Sequence, residues 1–177
     1  MAIVIDSSVL SAFAKAEQLD SLERLTAGSR RSVTRAVLEE IDIGVAIHPR
    51  LANVRSCTWL EHVTTDGLQE LRVFSEYIQL LGSSGRDIGE AATLAWAETH
   101  GGVALIDDDA AARAGRARSC VVRRSLWLVA DGVNRAVLTR EGACRLVDDL
   151  VRLGDARFPC DGQSFLGWAE DKGLVTP

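Results

Sequence analysis

The chain opens with a short β-branched run, Ala2-Ile3-Val4-Ile5, that stops at Asp6-Ser7-Ser8; beyond it Val9, Leu10, Phe13 and Ala14 recur at helical spacing. That change of period predicts a strand and then a helix. Leu19, Leu22 and Leu25 carry a helical pattern as far as Gly28, and a third amphipathic stretch runs from Thr34 to Ile47, where His48-Pro49 ends it. Cys57 to Val63 reads as the second strand. A helix over 68–81 follows, closed by the loop Gly82-Ser83-Ser84-Gly85. Asp87-Ile88-Gly89-Glu90 opens the next helix, with Ala91, Leu94, Ala95 and Ala97 as its buried stripe and Gly101-Gly102 as its stop. Val103-Ala104-Leu105-Ile106 is wholly apolar and bounded by glycines and by Asp107-Asp108-Asp109, the pattern of a central strand. A helix over 109–117, a short strand over 119–122 and helices over 125–136, 140–153 and 161–172 complete the reading.

Strands that alternate with helices imply an α/β fold, a mostly parallel central sheet with helices on both faces, because parallel strands need crossover connections. At 177 residues, 47% hydrophobic, the chain has material for one core. Residues 1–135 carry the alternation, and 136–177 form a helical extension expected to pack on the same domain. The first residues lack a basic leader, and no run is long enough to span a bilayer, which predicts a cytoplasmic location and no membrane partner. Cys57, Cys120, Cys144 and Cys160 include no C-x-x-C pair, so they are read as reduced, partly buried thiols rather than zinc ligands.

Charge changes the picture modestly. The net charge is −5, unlike most nucleic-acid binders, yet all basic residues except Lys15 and Lys172 are arginine. Arg113, Arg116, Arg118, Arg123 and Arg124 cluster without an intervening acid. This is either a solvated face or a strip that tracks phosphates, for which the guanidinium fork is suited; Arg113 and Arg116 are taken as RNA-binding candidates.

The acids carry more chemistry. Asp6 and Asp107 each follow an apolar strand, so both belong at the carboxyl edge of the sheet, where α/β proteins place their sites. Two carboxylates facing one crevice repel each other and lose hydration, which requires protonation or a cation. Oxygen-only ligands select Mg²⁺ or Mn²⁺.

The motifs resemble those of the PIN domain over roughly the first 135 positions. Val4-Ile5-Asp6-Ser7-Ser8-Val9-Leu10 is similar to the family's opening motif, and Val37-Leu38-Glu39-Glu40-Ile41 with Gly44 to its Glu-containing helix. Gly89-Glu90-Ala91-Ala92 and Ala104-Leu105-Ile106-Asp107-Asp108-Asp109, with Ala112-Arg113, resemble its third and fourth motifs. The Gly-Glu-Ala and Ile-Asp-Asp forms are similar to stand-alone PIN proteins close to the VapC-type toxin nucleases. The resemblance implies a metal-dependent ribonuclease in which Asp6, Glu40, Glu90, Asp107 and Asp108 are catalytic. Asp6, Glu90, Asp107 and Asp108 would hold one or two Mg²⁺ or Mn²⁺ ions, and Ser8 would support them. It further implies single-stranded RNA as substrate, a possible antitoxin partner and a homodimer.

Each acid also has a plainer reading. Asp6 or Ser7 caps the first helix, Asp87 and Glu90 have the spacing of a capping box, and one of Asp107, Asp108 and Asp109 caps the next helix. Glu39 and Glu40 lie about 100° apart on a helix, so only one faces the crevice; Val37 and Ile41 favour Glu40, as does the following Gly44, which matches the family's pattern. His48, His62 and His100 lack ligand spacing; Trp59, Trp96, Trp127 and Trp168 are read as core or interface anchors in preference to base-stacking platforms. The tail beyond 136 packs on the core, forms a dimer surface or covers the site. An aspartyl-nucleophile phosphatase would need an acid where Ser8 stands, and a receiver domain would need a late lysine. The remaining alternative is a catalytically inactive PIN-like module that binds RNA or protein.

Overall fold

The computed structural model describes residues 2–82 and 87–176. Of the loop read at Gly82-Ser83-Ser84-Gly85, all but Gly82 lies outside the described residues.

β1 (Ala2–Ile5) pairs with β2 (Arg30–Thr34) on one side and β4 (Val103–Leu105) on the other, while β3 (Glu61–Val63) and β5 (Val121–Arg123) form the edges. The order is β3-β2-β1-β4-β5, and every pairing is parallel. The chain builds outward from β1 to β3, then returns to add β4 and β5 on the opposite side. The order therefore reverses between β1 and β4, and a crevice opens beyond their carboxyl ends.

Strand residues alternate between two cores, as a pleated backbone requires. Ile3, Ile5, Val103 and Leu105 face one layer; Val4, Ala104, Ile106 and Val122 face the other. The first layer contains α1 (Ser7–Lys15), α2 (Leu19–Leu25), α3 (Arg35–Val45), a 3₁₀ helix over Pro49–Ser56, α7 (Ser125–Asn134), α8 (Arg140–Arg152) and α9 (Gly162–Asp171). The second contains α4 (Leu68–Leu81), α5 (Ile88–Thr99) and α6 (Asp109–Ala117). α8 and α9 place Leu146, Leu150, Phe165 and Ala169 in the same core as Ile5, Leu10 and Phe13. After α8 the chain passes tightly across α1: a Cβ on Gly154 would lie 2.5 Å from the Ala12 carbonyl oxygen. Among the described residues, no helix is long and apolar enough to cross a membrane.

One expectation is corrected. The second strand is Arg30–Thr34, not Cys57–Val63, which contributes only β3 at its end. β2 has one aliphatic side chain, Val33, behind Arg30, Arg31 and Ser32, so it has no readable period. Its partners select it instead. Ladders flank it on both sides, Arg30 pairs with Glu61 of β3 at 2.6 Å, and the Arg31 guanidinium lies 5.3 Å from the Trp59 ring centre. β5 begins two residues later than expected, after Ser119 takes a positive φ of 64°.

Candidate active site

Asp6 leaves β1 at the crevice and is fully buried. Its backbone N–H still bonds to the Leu105 carbonyl of the neighbouring strand at 3.0 Å, which fixes the residue in place. One carboxylate oxygen, Oδ2, caps α1 by accepting the Ser8 N–H at 3.0 Å and the Ser8 hydroxyl at 2.6 Å. The other, Oδ1, is buried with no hydrogen-bond partner among the described residues. Capping and a second role are therefore not exclusive, because the cap uses only half of the carboxylate.

Ser8 bridges the two strands. While donating to Asp6, its Oγ accepts the Asp107 backbone N–H at 3.2 Å, linking the turn after β1 to the turn after β4.

Glu90 stands in the first turn of α5, a helix packed over β1, β2 and β4. The Asp87 side chain does not cap this helix. Glu90 Oε2 is a second buried carboxylate oxygen without a hydrogen-bond partner among the described residues. Glu40 reaches across from α3 and accepts the Gly89 N–H at 2.8 Å, so the positive end of α5 receives a carboxylate. A Cβ on Gly89 would lie 2.4 Å from Glu40 Oε2, so this contact requires glycine. Glu39 points elsewhere, exposed and paired with Arg35 at 2.8 Å.

The proximity of these three acids is visible in their protonation. Burial pushes the Asp6 carboxyl up to about 6 against the pull of the Ser8 bonds, and the Glu40 charge adds to the rise. Burial likewise pushes Glu90 up to about 8, with the charges of Asp6 and Glu40 adding to it.

Asp107 and Asp108 behave differently. Both oxygens of Asp107 are taken by Ser125 at the start of α7: Oδ1 accepts its N–H at 2.8 Å and Oδ2 its hydroxyl at 2.5 Å. Burial raises the Asp107 carboxyl, and the Ser125 bonds and Arg124 oppose the rise. Asp108 is exposed and caps α6, accepting the Ala111 N–H at 2.8 Å. Glu90, Asp107, Asp108 and Ser8 line a crevice of about 350 Å³, closed on its other side by Lys15 and residues 154–158. Lys15 is held there by Asp155 at 3.0 Å.

The five predicted acids thus divide into a packed trio, Asp6, Glu40 and Glu90, and a pair at the crevice wall. The sequence reading did not identify Ser125, the contact of Gly89 with Glu40, or Lys15 and Arg157 at the crevice. Ser125 does precede an apolar run as a capping residue would, but nothing local ties it to Asp107. Of the arginine strip, Arg118 is engaged by Glu76 and Glu98, each at 2.7 Å, and Arg124 by Asp109. Arg113 and Arg116 on α6 are exposed and form no ion pair among the described residues.

Among the described residues, no three acidic, histidine or cysteine side chains form a ready-made chelating cluster. The donor chemistry nevertheless suits a hard cation: two buried carboxylate oxygens without a hydrogen-bond partner among the described residues, and the Glu40 carboxylate near them. A family model described as a PIN domain matches residues 2–159. No curated protein and no solved structure matches the chain.

Proposed function

The chain belongs to the PIN-domain family, a nuclease-type family, and from that premise we propose that it is a metal-dependent ribonuclease that hydrolyses phosphodiester bonds in single-stranded RNA. The observation that carries the reading is the pair of buried oxygens without a hydrogen-bond partner among the described residues, Asp6 Oδ1 and Glu90 Oε2, on two carboxyls whose proton affinity burial raises, with Asp6 adding to the rise at Glu90. A buried acceptor left without a partner costs about 1–3 kcal/mol, more when charged, and a divalent cation relieves both at once.

Asp6 and Glu90 would hold Mg²⁺ or Mn²⁺, with Glu40 beside them and Asp107 and Asp108 at the wall. When bound, the ion supplies an activated water and neutralises charge on the phosphate. The chain's own groups do the rest. Ser8 fixes the Asp6 carboxylate and the turn that carries Asp107 relative to each other, and Ser125 orients Asp107. Lys15 and Arg157 bring positive charge to a crevice that a phosphodiester must enter. An inhibitory partner, such as an antitoxin that inserts a basic side chain among these acids, is compatible with the same charge pattern.

The test is cleavage of a pool of single-stranded and structured RNA with Mn²⁺ or Mg²⁺, against EDTA and against Asp6→Asn. Metal-dependent cutting of the unpaired RNA, lost in the variant, is expected. No cutting, together with no calorimetric metal binding, would return the chain to a binding module.

A further inference from the structure

Asp107 and Phe158, which line the acidic crevice, are also walls of a second cavity of about 200 Å³ between α7 and the C-terminal segment. Its apolar lining combines three half-buried aromatics, Trp127, Trp168 and Phe158, with aliphatic neighbours such as Leu126 and Leu174. Its rim is cationic, formed by Arg116, Arg123 and Arg124, and its one acid among the described residues, Asp107, is tied to Ser125. The Arg123 guanidinium lies 4.8 Å from the Trp127 ring centre, so a delocalised cation and an indole already form a stacked wall.

This volume is below the ~300–1,000 Å³ of ordinary small-molecule sites. It suits one planar ring system. Flat aromatic walls under an arginine rim match a ring with an anionic attachment, which is the chemistry of an unpaired nucleobase and its phosphate. Base-paired nucleotides do not fit, because their faces are covered by the stack.

We propose that this cavity is a base subsite: it takes by stacking an unpaired nucleobase next to the phosphodiester held at the crevice, with Arg116 and Arg123 meeting the flanking phosphate. The shared walls place the subsite and the acids on one strand path. The proposal rests on the ribonuclease reading, and it gives that reading a physical origin for single-strand selectivity. It also gives the segment around Phe158 a role at both cavities.

The test uses the full-length protein in Ca²⁺ and fluorescein-labelled single-stranded oligoribonucleotides, either intact or carrying one abasic position at each site in turn. Stacking of one base is worth roughly 5- to 150-fold in affinity. One abasic position is expected to weaken binding to the wild type by that factor. In Trp168→Leu and in Arg123→Ala with Trp127→Leu, the penalty at that position is expected to vanish while circular dichroism stays native. Arg116→Ala, at an exposed position that leaves the fold intact, is expected to weaken binding of intact and abasic strands alike. The same abasic penalty in wild type and cavity variants overturns the proposal even if the wild type cuts RNA. So does full RNA affinity in every cavity variant, which would make the cavity a contact for a protein side chain. If the wild type neither binds nor cuts RNA, the ribonuclease reading itself fails.

Discussion

Replacing Gly89 with alanine is expected to destabilise the protein, although alanine is the better helix former by about 1 kcal/mol. The Gly89 N–H donates to Glu40 Oε1 at 2.8 Å, and an added Cβ would lie 2.4 Å from Oε2, 2.6 Å from Oε1 and 2.7 Å from Cδ. Ordinary contact begins at 3.4 Å, so the carboxylate must retreat by about the difference, 3.4 − 2.4 = 1.0 Å. That stretches the bond beyond hydrogen-bonding range. A hydrogen bond to a charged group contributes about 1.5–3 kcal/mol, and the attraction of the helix terminus is lost with it. The gain in helix propensity, and relief of the repulsion that Glu40 exerts on Asp6 and Glu90, offset part of the loss. A net destabilisation of about 1 kcal/mol remains, or a Tm lower by about 2–4 °C in a chain of this size. Gly167 in α9 is the control: it is exposed, and a Cβ there meets nothing within 4 Å. Gly167→Ala should therefore raise Tm by a similar amount. Calorimetric melts of the two variants give the signs. Titration with Mn²⁺ should show Gly89→Ala binding about 10-fold more weakly or worse, because Glu40 no longer sits beside Asp6 and Glu90. A Gly89→Ala protein as stable as Gly167→Ala, with native Mn²⁺ affinity, would refute the reasoning.

In EDTA, the folded chain holds protons on Asp6 and Glu90 more tightly than the unfolded chain, so their contribution to stability is full below about pH 4 and is lost as pH rises through about 6 and about 8. The Tm of wild type relative to Glu90→Gln should accordingly fall between pH 5 and pH 8 and recover with saturating Mg²⁺; a flat difference would show that burial and the neighbouring acids do not raise the Glu90 carboxyl. Ser125→Ala removes the hydroxyl bond to Asp107 Oδ2 and should lower cleavage about 10- to 100-fold at native stability to within about 2 kcal/mol, measured as initial rates beside a denaturant melt. Phe165→Ala, at a fully buried position of α9, should cost about 3–5 kcal/mol in a single unfolding transition, whereas a separate early transition would mean that the C-terminal helices fold on their own.

Where the signals were local, the sequence was readable. Ile5-Asp6 and Ile106-Asp107 each mark an apolar strand meeting a carboxylate, and the helices over 68–81 and 109–117 appear with those bounds. The choice of Glu40 over Glu39 drew on one helix face and on the family's Gly44 position; in the structure Glu40 meets Gly89 while Glu39 is exposed. What escaped was settled by distant partners. β2 is a strand because β1 and β3 pair with it, not because Arg30-Arg31-Ser32 resembles one. Spacing could not reveal that Asp107 turns to Ser125, or that Asp108 rather than its neighbours caps α6. Trp127 and Trp168 do pack against the core as anchors; what spacing could not show is that they also line a cavity where α7 and the tail meet.

The Ser8 hydroxyl that joins Asp6 to the Asp107 amide closes a span of 99 residues. Loop closure over that length is about 2 kcal/mol harder than over ten residues, so the contact forms late in folding, when β4 docks beside β1. A chain still being synthesised already carries Asp6, Ser8 and Glu40, yet has no assembled crevice until β4 and α7 have emerged. On the ribonuclease reading proposed above, the acids would be harmless to any RNA near the nascent chain, including its own message, until the sheet is complete.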